Sequence, residues 1–75
     1  MFYNDKKMVD GIEYYIDYHK DLDCYDIYSL TKRVWMRDKS YPVKVIMSSL
    51  DMAEKILGFR VERVGFTSFR QSKEI

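Results

Sequence analysis

Apolar residues recur at helical spacing along three stretches of the chain, and the spacing then changes. Val9, Ile12 and Ile16, joined by Tyr15 and His19, share one helical face and predict a first helix over about residues 5–20. Asn4 or Asp5 can cap it, while Asp5 and Asp10 near its start and His19 and Lys20 near its end suit the helix dipole. Gly11 lies inside this pattern and costs roughly 1 kcal/mol relative to alanine, which points to a later start. DLD at 21–23 is a polar break. Ile27, Leu30, Thr31 and Val34 form the inward stripe of a second helix over about 24–36, beginning near Asp23 or Asp26, and RDKSY at 37–41 follows as a polar connector. Val43, Ile46, Leu50, Ala53 and Leu57 continue at intervals of 3, 4, 3 and 4 and predict a third helix over about 42–57. Ser40 or Tyr41 is its cap and Pro42 fits its first turn, where a missing N–H costs nothing. Gly58 suits the left-handed residue that commonly ends a helix.

After Gly58 the period falls to two. Phe59, Val61 and Arg63 point to one side of a strand, with Arg60, Glu62 and Val64 on the other. Gly65 interrupts, and residues 66–71 return as a second strand, giving a hairpin over about 59–71. A lone hairpin is marginal in water, so this one must dock on the helices.

Seventy-five residues make a single domain, 1–75, that buries only about 60 to 65% of its unfolded surface. With 47% hydrophobic and 33% charged residues the composition is globular, which argues against disorder. The net charge of +1 conceals a polarity. Residues 1–31 hold seven acids and three lysines, a local −4; residues 32–75 hold ten bases and five acids, a local +5. Such asymmetry points to a basic binding surface behind a neutral average. The single Cys24 cannot form an internal disulfide, which favours a reducing, cytoplasmic setting. No apolar run approaches the roughly 20 residues that span a bilayer, and the N-terminal MFYNDKKMVDG lacks a signal-peptide core.

Catalytic chemistry is not visible. His19 and Cys24 are the only residues of their kinds and find no third partner in the sequence, so metal sites built from them are excluded by count. The three glycines are isolated and form no phosphate loop. The reading is therefore a non-enzymatic protein without cofactors.

In its order of elements the chain resembles the winged helix-turn-helix family. DIYSLTKRV is similar to the positioning helix, YPVKVIMSSLDMAEKILGF to the recognition helix with its Leu-Gly-aromatic ending, and RVERVGFTSFR to the wing. The resemblance covers about residues 9–71 and rests on pattern and order. It implies an α+β domain of three helices with a C-terminal β-hairpin wing. It also implies a duplex DNA-binding protein, most simply a small cytoplasmic transcriptional regulator of a size that suits a viral or mobile-element gene. The helix at 42–57 would enter the major groove with Tyr41, Lys44 and Ser48 toward the bases. The wing would set Arg60, Arg63, Thr67, Ser68 and Arg70 against the backbone, with Arg37 and Lys39 on the other flank.

Two features of the sequence stand beside that resemblance. Tyr14 and Tyr18 lie one turn apart on the predicted first helix, and with Tyr15 they offer large rings with polar tips. They make this acidic helix a candidate homodimer or partner surface. The alternative function is accordingly a protein-interaction module that works through the Tyr-rich helix.

Overall fold

A computed structural model describes the backbone of residues 2–73, with side chains from residue 5 onward. Asp10 and Gly11 both take positive φ, 53° and 80°. That pair of conformations is what a two-residue hairpin turn with the right twist requires, and Asp-Gly is its favoured sequence. The turn folds strand β1 (Phe2–Val9) back onto strand β2 (Ile12–His19), with Val9 opposite Ile12 and Phe2 opposite His19. The residues predicted as a first helix thus form an antiparallel hairpin.

A four-residue turn over 20–23 follows, with Asp23 at φ 50°. It leads into strand β3 (Cys24–Met36), the longest element at 13 residues. Tyr14 pairs with Ser29, Ile16 with Ile27 and Tyr18 with Tyr25, so β2 covers the first half of β3. Strand β4 (Lys39–Ile46) pairs along the second half. Helix α1 (Leu50–Leu57), strand β5 (Val61–Arg63) and strand β6 (Ser68–Gln71) complete the chain. The six strands form one antiparallel sheet ordered β1-β2-β3-β6-β5, with β4 attached to the distal part of β3.

The sheet overturns the three-helix winged helix-turn-helix expectation. Residues 5–20 and 24–36 are strand, and 42–57 is split between β4 and α1. The physical reason lies in residue type. The stretch from Ile12 to Ile46 is rich in Tyr, Ile and Val, which favour a pleated surface, whereas helix formers concentrate in LDMAEKIL. Ser49, not Ser40 or Tyr41, caps that helix, its Oγ accepting from the Met52 N–H at 3.3 Å. Two earlier expectations stand. The helix ends at Gly58, in the left-handed region at φ 84°, with its N–H donating to the Glu54 carbonyl at 2.8 Å. A hairpin does follow, with Arg63 opposite Phe69 and Val61 opposite Gln71.

One face of the sheet carries the core. Tyr14, Ile16, Ile27, Val61 and Phe69 pack beneath Ala53 and Ile56 of α1. Phe69, Ile27 and Ile56 are fully buried, each worth about 1.5 to 3 kcal/mol of apolar burial. The Glu54 carboxylate accepts from the Val61 N–H at 3.1 Å, fixing the helix above β5. Lys55 reaches the Asp10 carboxylate at 2.6 Å, an exposed pair that contributes less than about 1 kcal/mol. The opposite face of the sheet has no helix over it among the described residues.

Candidate nucleic-acid interface

The net positive charge of the protein lies on the β3–β4 ribbon. Beyond Ser29 the pairing register shifts by one residue, placing Leu30 and Thr31 in a bulge. Past it, residues 30–36 of β3 pair only with β4, a projection of roughly 23 Å at strand rise. The described chain measures 53 × 27 × 20 Å, and its radius of gyration of 13.8 Å exceeds the roughly 11 Å of a compact domain of this length. The excess reflects this arm.

Residues 30–46 contain five bases (Lys32, Arg33, Arg37, Lys39 and Lys44) and one acid, Asp38, a formal +4. The remaining residues hold eight bases and eleven acids, a formal −3. All five bases of the arm are exposed. Cross-strand pairing sorts them by face. Lys32 stands opposite Val43, Val34 opposite Tyr41 and Met36 opposite Lys39 on one side; Arg33 faces Pro42 and Trp35 faces Ser40 on the other. Arg33 donates from Nε to Ser40 Oγ and from Nη2 to the Ser40 carbonyl, both at 3.0 Å, so its guanidinium is held across the ribbon. Arg37 makes the turn at φ 59°, a left-handed conformation that costs a non-glycine residue about 1 to 2 kcal/mol.

The DNA-contact residues expected from sequence fall into two groups. Arg37, Lys39 and Tyr41 come together at the arm's tip, and Tyr41 is 47% exposed. Lys44 lies nearer the body, with Nζ 4.4 Å from the centre of the Tyr28 ring. Ser48 sits in the exposed loop before α1. The others belong to the β5–β6 hairpin and its flanks, where β6 meets β3 at Tyr25 and Asp26, about ten strand residues or roughly 33 Å from the tip. Arg63 donates to the Phe66 carbonyl at 2.7 Å and lies over the Phe69 ring. Arg70 makes a two-pronged contact with Glu62 Oε2 at 3.1 and 2.9 Å. Ser68 donates to Asp26, Thr67 is half-buried in the connecting turn, and Arg60 lies between α1 and β5. The arginines of the expected wing are thus committed to partners within the fold, at least for Arg63 and Arg70.

The three tyrosines proposed as one partner surface are divided by the pleat. Tyr14 is buried in the core beneath α1. Tyr18 shares that side, tilted against Tyr25, and its hydroxyl donates to Asp23 at 2.9 Å. Tyr15 lies on the opposite, helix-free face, stacked on Tyr28 at 5.2 Å with its hydroxyl on Glu13 at 3.0 Å. Those hydrogen bonds to carboxylates, ahead of the associated charge repulsion and burial, push the Tyr15 and Tyr18 phenols up.

On the helix-free face His19 Nε2 meets Asp26 Oδ2 at 2.8 Å, and Ser68 Oγ donates to Asp26 Oδ1 at 2.6 Å. The carboxylate occupies the middle of this series, so the Ser68 proton points at a carboxylate and not at an imidazole base, the reverse of a nucleophile-activating arrangement. Cys24 beside it is buried, and burial, reinforced by Asp26 and Asp23, pushes its thiol up. A thiol so placed is a poor nucleophile. Among the described residues no cluster of His, Cys, Asp or Glu could hold a metal ion, and no helix is long and apolar enough to cross a membrane.

Sequence reasoning singled out Arg37, Lys39 and Lys44 of the arm but passed over Trp35 and Met36, which are 74% and 64% exposed. The signal was present as Met36-Arg37-Asp38-Lys39, a two-residue turn between runs of β-branched and aromatic residues. Compared with protein-family models, with curated proteins and with solved structures, the chain matches none.

Proposed function

We propose that the chain is a non-enzymatic duplex DNA-binding protein, suited to a small regulator, that engages DNA through the β3–β4 ribbon. The observation that carries this reading is the formal +4 of the projecting arm against −3 for the rest of the chain. A two-stranded ribbon can lie in the major or the minor groove of duplex DNA. Lys32, Arg37 and Lys39 would meet phosphates along the groove, while Arg33, whose Nε and Nη2 bond Ser40, would add its remaining guanidinium donors. Repulsion between the acidic body and the phosphates would favour an end-on approach by the arm.

Fluorescence anisotropy with a labelled random duplex at about 50 and 200 mM salt tests this. Four or five phosphate contacts weaken binding about 10²-fold across that range. Reversing Lys32 and Lys39 to glutamate abolishes it, whereas neutralising Arg63 and Arg70 leaves the salt dependence unchanged. Absence of binding at low salt sinks the reading and turns attention to a protein partner on the apolar side of the ribbon, where Val34, Met36 and Tyr41 are exposed.

A further inference from the structure

Trp35 is the only tryptophan in the chain and is 74% exposed, although tryptophan is among the more buried residue types on average. Its surroundings explain how the ring stays uncovered. Ser40, the residue opposite, is too small to shield an indole, and the strand ends one residue later at Met36. The tight turn through Arg37 keeps the tip narrow. On the same side of the ribbon, two residues back, Arg33 is pinned to Ser40, the residue opposite Trp35. On the other side Met36, 64% exposed, lies opposite Lys39. The tip is therefore an apolar blade with a fixed cation on one face and a flexible one on the other.

A basic residue can hold a phosphate without any apolar neighbour, so charge alone gives no reason for an uncovered indole here. Proteins that kink duplex DNA do use such a combination: cations grip the backbone while an apolar side chain enters between base pairs and unstacks them. We infer that Trp35 is a wedge that inserts into a base step of the bound duplex, making the protein selective for DNA whose stacking is already weak. The inference rests on the DNA-binding reading above and adds to it a preference among duplexes. Where two adjacent bases are mismatched, unstacking has less to overcome, and the indole gains its stacking surface more cheaply.

The test compares an intact 20-base-pair duplex, the same duplex with two adjacent central mismatches, and the single strand, each labelled with fluorescein, with the full-length protein. The mismatched duplex is expected to bind about tenfold tighter than the intact one. The emission of Trp35, the sole indole, is quenched on binding and becomes inaccessible to iodide. Trp35→Ala brings the ratio of the two affinities to near one and Trp35→Phe restores most of it, with circular dichroism confirming the fold of both variants. Equal binding of the two duplexes with Trp35 still open to iodide overturns the wedge and leaves the DNA-binding reading standing. Tighter binding of the single strand than of the mismatched duplex also overturns it. Failure to bind any of the three overturns both readings.

Discussion

The Ser68 hydroxyl donates to the Asp26 carboxylate at 2.6 Å, joining residues 42 positions apart. This contact lies where β3 meets β6, a junction of only two paired positions, Tyr25 with Phe69 and Asp26 with Ser68. On its own side of the sheet it does what Phe69 does on the core side, holding the C-terminal hairpin against the long strand.

Replacing Ser68 with alanine removes a half-buried hydrogen bond to a charged group and leaves Asp26 its His19 contact. The expected loss is about 1 kcal/mol, which lowers the midpoint of thermal unfolding by roughly 4 to 8 °C in a domain of this size. Calorimetry checks it. DNA affinity, if carried by the arm, is unaffected at temperatures where both proteins are folded.

Arg37→Gly separates stability from binding. Glycine removes the strain of φ 59° but adds backbone entropy to the unfolded chain, so the net effect is a gain of up to about 1 kcal/mol. If the arm binds DNA as proposed, the same change removes one phosphate contact and reduces the slope of log affinity against log salt by about 1. A variant with a higher unfolding midpoint and a shallower salt slope meets both expectations. Lower stability argues against strain at the turn.

Alkaline pH should destabilise the fold. Cys24 is pushed up chiefly by burial, and Tyr15 and Tyr18 chiefly by hydrogen bonds to Glu13 and Asp23. Each group is therefore protonated more firmly in the folded chain than in the unfolded one. Their contributions are complete below the ordinary thiol and phenol ranges and are lost as pH rises through the raised values. The midpoint of thermal unfolding is expected to fall from about pH 9 and more steeply above about pH 10. Cys24→Ala removes the earlier part of that decline. A midpoint that holds steady or rises over this interval contradicts the assignment.

Local chemistry carried some of these features into the sequence. Gly58 ends the helix because a left-handed residue must stand there, and a period of two marks the hairpin beyond it. The basic character of residues 32–75 was legible because charge does not depend on fold. The strands of the N-terminal half were misread for a specific reason. Val9 and Ile12 are three apart, which places them on one helical face and equally on the two sides of a two-residue turn. In β2 the alternation was present, with Tyr14, Ile16 and Tyr18 on the core side and Glu13, Tyr15, Asp17 and His19 on the other. Tyrosine on both sides blurred it, since its ring suits burial and its hydroxyl suits exposure.

Asp-Gly at 10–11, read as a blemish in a helix, was the local cue that could have reversed the reading. Which strand lies beside which was beyond any local cue. β3 pairs with β2 and β6 near one end and with β4 at the other, and those choices are made by Ile27, Ile56 and Phe69 finding one another across the chain. The same pairings commit Arg63 and Arg70 to the body and send Trp35 and its cations out on an arm. Turns, caps and charge act over a few residues, whereas a sheet is settled by contacts whose sequence separation no local pattern records.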